Sequence, residues 1–151
     1  MKFPDRPDVT DLVYEFESPD AGASDYGVRL LGYLTPLGTG DYVFYLASDD
    51  QGELYLSTDE SPVNVRRIAA EPQWNMSRDW SGTMLRPAKE NISAPIPLVA
   101  EQRYYLEAVM KQGTGGDHLA VTWQLPGAPK PVNGAPPIAG NFLAYPQRGK
   151  P

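Results

Sequence analysis

A chain of 151 residues with a formal net charge of -6 and no cysteine has the length of one domain, enough to bury a core without disulfide staples. The missing cysteines exclude thiolate metal sites and a disulfide scaffold. The acidic balance argues against a nucleic-acid partner and suits a cation site or a neutral ligand.

The opening residues, "MKFPDRPDVTDLVYEF", lack the apolar run of a signal peptide, and no stretch approaches the apolar length of a membrane span. If the natural protein is exported, this chain is expected to be a mature fragment or an excised module. Strand-like runs then follow one another: Val9–Glu17, Tyr26–Thr35, Asp41–Ser48, Glu53–Thr58 and Val63–Ala70. "GTGDY" separates two of them as a turn signal. Residues 71–97 form a long connection, and connections of that length are often functional.

Period-two patterning is clearest after this connection. "RYYLEAVMK" sets Tyr104, Leu106, Ala108 and Met110 on one face and Arg103, Tyr105, Glu107 and Lys111 on the other. "HLAVTWQL" sets Leu119, Val121, Trp123 and Leu125 inward, with His118, Thr122 and Gln124 outward. Such alternation marks half-buried antiparallel strands, here joined by the glycine-rich "QGTGGD". The Pro- and Gly-rich tail reads as an extended wrap with a short edge strand at Asn141–Tyr145 and then a linker. No long stretch has helical periodicity. The expected fold is all-β, an antiparallel sandwich or barrel, with residues 1–8 and 146–151 as linkers and 9–145 as the domain.

Two constellations carry candidate chemistry. Asp49 and Asp50 follow an apolar run and precede Gly52. Side chains of neighbouring strand residues point to opposite faces, but a turn at the strand end can aim both carboxylates at one point. They then need a cation, or one must protonate, and a hard divalent ion, calcium above all, fits oxygen donors. The plainer reading is a solvated turn. An EF-hand counted from Asp49 fails, because Leu54 stands where glycine is required. In "KQGTGGDHLAV" the glycines expose backbone carbonyls, and Asp117 adds a carboxylate at the loop exit; an ordinary hairpin is the plainer reading.

Other residues carry less. His118 is the only histidine and has no triad or histidine cluster around it, so it reads as an outward strand residue able to hydrogen-bond a ligand. Trp74 and Trp80 sit in the long connection. An indole there either plugs the core, the commoner role, or stacks on the apolar face of a sugar. "NMS" at Asn75 and "NIS" at Asn91 match the glycosylation sequon. No catalytic motif is present.

Taken together, "GDYVFYLASDDQGELYLSTDESPVNVRRIA", "SAPIPLVAEQRYYLEAVMKQGTGGDHLAVTWQLPG" and "PPIAGNFL" resemble the PA14 domain over roughly Val9 to Tyr145. The resemblance implies a jelly-roll β-sandwich, found in bacterial glycosidases, secreted proteins, toxins and fungal adhesins. In sugar-binding members, two consecutive aspartates joined by a cis peptide hold a calcium ion that binds glycan hydroxyls directly. The matching pair is Asp49 and Asp50. A second calcium-binding loop matches "GTGGDH", which carries over Asp117 and the backbone around Gly115 and Gly116. The fungal adhesins use an asparagine in this loop, and none stands between Lys111 and Val121 here.

The resemblance thus implies a monomeric, non-enzymatic, calcium-dependent carbohydrate-binding module of a larger bacterial extracellular or cell-surface protein. Gln51, His118 and Trp80 would contact the glycan at the rim. The alternative is a structural or protein-interaction module without sugar binding, and a free-standing enzyme is the third possibility.

Overall fold

The computed structural model describes residues 11–18, 26–81, 89–112 and 118–145. They form two antiparallel sheets packed face to face. The strands are β1 (Glu17–Ser18), β2 (Tyr26–Leu34), β3 (Gly40–Asp49), β4 (Gly52–Ser57), β5 (Val65–Glu71), β6 (Ile96–Leu98), β7 (Tyr104–Gln112), β8 (His118–Gln124) and β9 (Leu143–Ala144). One sheet has the order β1-β8-β3-β6, the other β5-β4-β7-β2-β9. The described residues contain no α-helix, only short 3-10 turns at Pro62–Asn64 and Gly140–Phe142. The expected antiparallel β-sandwich is what the chain forms.

The inward faces pack as alternation dictates. Tyr104, Leu106, Ala108 and Met110 of β7 meet Phe44 and Leu46 of β3 and Leu119 and Val121 of β8 in one continuous core. Trp123 joins its edge, its ring 4.9 Å from Tyr42 and 5.2 Å from Phe142. Leu125, expected inside, is exposed, because β8 ends at Gln124 and the chain turns at Pro126-Gly127. On the outer face of the five-stranded sheet, Tyr105 donates to Glu107 at 2.6 Å and stacks edge-on against Tyr33. Burial first, and the Glu107 carboxylate second, push its hydroxyl up to about 12.

Several strands differ from the sequence expectation. Of the run 9–17, the described part joins a sheet only at Glu17; Leu12 and Tyr14 are exposed. The run beginning at Val63 becomes a strand only at Val65, since Ser61 accepts the Val63 N–H and Pro62 opens a 3-10 turn. β6, hidden in the long connection, pairs with the start of β3 through three residues.

That connection performs structural work along β3. Past Tyr42, β3 has no regular strand on the β6 side, and the connection completes the edge. Ser93 N–H donates to the Phe44 carbonyl while its Oγ accepts the Phe44 N–H. Ile92 bridges Tyr45, and Trp74 bridges Asp49. Between them, Asn91 and Asn75 both donate Nδ2 to the carbonyl of Leu46, at 3.2 and 3.3 Å. Asn75 also accepts the Ser48 N–H at 2.7 Å. These buried amides supply ladder hydrogen bonds that a strand would otherwise make.

The outer face of the four-stranded sheet is covered rather than solvated. Tyr45, Ala47 and Ala120 pack under Trp80, with Ile92 and Ala135 alongside. Arg78 fastens the cover through 2.7 and 2.9 Å contacts to Glu17 on β1.

Candidate functional site

β3 and β4 lie in different sheets, and so do β7 and β8. Because β3 neighbours β8 and β4 neighbours β7, the end of β3, the start of β4, the end of β7 and the start of β8 meet at one end of the sandwich. There the chain crosses from β3 to β4 through Asp49-Asp50-Gln51. Asp49 and His118 are direct partners in the β3–β8 ladder, and the Lys111 N–H donates to the Gln51 carbonyl at 3.1 Å. The topology therefore sets His118, the first residue of β8, against the acid pair, a proximity that the long separation in sequence conceals.

Asp49 and Asp50 are both half-buried, and the peptide bond between them is cis. The crossing is tightly built underneath. The Ser48 hydroxyl, fully buried, donates to the Asp50 carbonyl at 2.7 Å. Gly52 closes over it, and a Cβ at that position would lie 2.5 Å from Ser48 Oγ and 2.8 Å from Ser48 Cβ. Gly52→Ala is therefore expected to destabilise the fold by about 1–3 kcal/mol through overpacking and to shift the Asp50 backbone. Urea unfolding measures the first effect, and the amide spectrum of residues 48–52 the second.

The remaining sequence-predicted residues divide. Gln51 is exposed at the tip of the crossing. His118 is half-buried, and its Nε2 lies 2.6 Å from the Asn75 carbonyl. A carbonyl only accepts, so Nε2 carries the hydrogen and is committed to the protein; His118 holds the 74–75 segment in place. Trp80 is a correction. It is 0 % exposed, and its indole N–H donates to the Ala135 carbonyl at 3.0 Å, so it offers a sugar no ring face. Asp117, Gly115 and Gly116 lie outside the described residues.

The site adds one residue that sequence reasoning left open. Trp74 is 41 % exposed and sits beside Asp49 through their β-bridge, followed by exposed Met76. The signal for it was only its place in the long connection. As for an ion, the two adjacent carboxylates are hard oxygen donors of the kind calcium takes. Among the described residues no group of three His, Cys, Asp or Glu side chains gathers at one point, so for a calcium ion with six to eight oxygen ligands this pair could supply only part of the shell.

The sequon asparagines are not surface acceptors. Asn75 and Asn91 are 1 % and 0 % exposed, and their amides are engaged along β3.

Comparison with known proteins agrees with this architecture. A segment of mouse N-acetyl-beta-glucosaminyl-glycoprotein 4-beta-N-acetylgalactosaminyltransferase 1 is 37% identical over 106 residues, 68% of this chain. The chain spans about a tenth (10%) of that relative's length. Among solved structures, the epithelial adhesin 6 A domain of Candida glabrata, in complex with Galβ1-3GlcNAc, superposes with a TM-score of 0.58 at 15% identity, covering 84% of this chain and 54% of that one. The epithelial adhesin 9 A domain of the same organism, in complex with Galβ1-4GlcNAc, gives 0.52 at 15% identity, covering 71% and 48%. An anti-sigma factor domain-containing protein of Clostridium clariflavum gives 0.55 at 18% identity over 90% of this chain and 39% of its own. The PA14 domain family matches residues 4–135, and the chain belongs to the PA14 family.

Proposed function

We propose that this chain is a calcium-dependent carbohydrate-binding module of a larger secreted or cell-surface protein, without catalytic activity of its own. The observation that carries this reading is the ladder pairing of Asp49 with His118, which puts the residue that follows the glycine-rich segment beside the acid pair. Asp49, Asp50 and Asp117 would hold the ion, with the backbone of Gly115 and Gly116. When bound, calcium supplies a hard Lewis acid able to take glycan hydroxyls as ligands. The chain's own residues orient the sugar. Gln51 stands at the rim, and Trp74 offers a part-exposed ring to an apolar sugar face. His118 fixes the Trp74–Asn75 backbone from beneath. The adhesin relatives are complexes with β-linked galactose on N-acetylglucosamine, which makes these disaccharides the first probes.

The test is a glycan array that includes both disaccharides, run with calcium and with chelator. Chelator-sensitive binding is expected. Binding that survives chelation would overturn the ion's role, and no binding to any glycan would leave the module as a scaffold or protein-interaction domain. Trp74→Ala is expected to weaken the best glycan about five- to tenfold, measured by calorimetry, with little change in melting temperature because the ring is part-exposed.

A further inference from the structure

We propose that the open seam between β5 and β6 is a second ligand site, one that takes a small organic anion with an apolar body. β5 and β6 are edge strands of their sheets, and residues of both line one gap; farther along β5 the Ala70 N–H donates to the Glu90 carbonyl of the long connection. The gap is a cavity of about 560 Å³, within the range of small-molecule sites. Its apolar lining includes Leu56, Ile68, Ile96, Leu98 and Tyr104. Leu56, Leu98 and Tyr104 are buried as floor, while Ile68 and Ile96 remain partly accessible.

Charge specifies the occupant. The charged residues of the lining are Arg66 and Arg67, with no carboxylate among them, on a chain of net charge -6. Arg67 is engaged by Glu53 at 2.9 Å. Arg66 makes no ion pair or side-chain hydrogen bond among the described residues, so its guanidinium is available for bidentate binding of a carboxylate. An apolar floor with Ser57, Thr58 and one uncommitted cation at its sides suits a ligand whose body is apolar and whose one polar end is anionic.

An added peptide strand fits less well. Pro95 and Pro97 stand on either side of Ile96, so two of the three residues there have no N–H to donate to a new ladder. The seam is also distinct from the acid pair. Asp50 and Thr58 flank opposite ends of β4, a strand of six residues and so about 20 Å long at the usual rise, and the two sites share no residue.

The experiment is a methyl and amide NMR titration of the whole chain with 1-naphthoate, and separately with the neutral 1-naphthalenemethanol. Naphthoate is expected to shift the signals of Leu56, Ile68, Ile96 and Leu98 saturably, with the alcohol bound about tenfold more weakly. Arg66→Met should bring naphthoate down to the alcohol's affinity and leave the alcohol unchanged; Arg66 is exposed, so an otherwise unaltered spectrum verifies the fold. Absence of localised shifts at millimolar naphthoate overturns the site, and equal affinity for acid and alcohol overturns the anion assignment. Asp50→Asn should leave this titration untouched, which separates its outcome from that of the calcium and glycan experiments.

Discussion

Trp80→Ala is expected to remove about 3–5 kcal/mol of stability, a large part of what a domain of this size possesses. The indole is fully buried on the outside of the four-stranded sheet, over Tyr45, Ala47 and Ala120. Three losses combine. A large apolar surface goes back to water, the Ala135 carbonyl loses its indole donor, and the cover lifts away from Asn91, whose Nδ2 reaches the Trp80 carbonyl at 3.0 Å. Since this cover completes the β3 edge, the damage should extend to β3 itself. Urea unfolding of the variant measures the loss. A change below 1 kcal/mol would mean that the cover is dispensable, and Trp80→Phe should recover much of the packing but not the hydrogen bond.

Asp50→Asn is expected to abolish calcium-dependent stabilisation. Calcium at 100 times its dissociation constant adds about 2.7 kcal/mol to the native chain, which at this length raises the melting temperature by about 5–10 °C. The variant should show no rise, and Asp49→Asn should behave likewise. In chelator, the melting temperature of each variant against the native chain is the baseline from which the calcium response is read. A native chain that gains nothing from millimolar calcium would leave the pair as a turn. Thermal melts of the three proteins with calcium and with chelator decide the matter.

The sandwich was legible wherever strands are long and one face is wet. The inward set of β7, Tyr104 to Met110, was readable from period two alone, because its neighbours Glu107 and Lys111 face outward. β6 was not readable, since three residues flanked by prolines carry too little pattern and take their strand character from the start of β3. Of the candidate site, Asp49 and Asp50 were visible as an unusual pair, and their closeness to His118 followed only from family resemblance, because ladder partners so far apart in sequence leave no local mark. The two tryptophans of the long connection were indistinguishable in sequence. What separates them is position: Trp74 falls beside the end of β3, while Trp80 lies past the reversal at Arg78, whose φ of 51° turns the chain back over the sheet.

The two asparagines on the Leu46 carbonyl set up a conflict of timing. In a glycosylating secretory pathway, a sequon is read on the extended chain, before the fold exists. Here the amide nitrogen that would carry the sugar is the nitrogen that closes the β3 edge, at Asn75 and again at Asn91. A molecule modified at either position cannot seat that amide, and a molecule already folded shields both from the transferase. In such a host each chain has one of two fates, decided by whether the third strand is zipped up before the sequons are scanned.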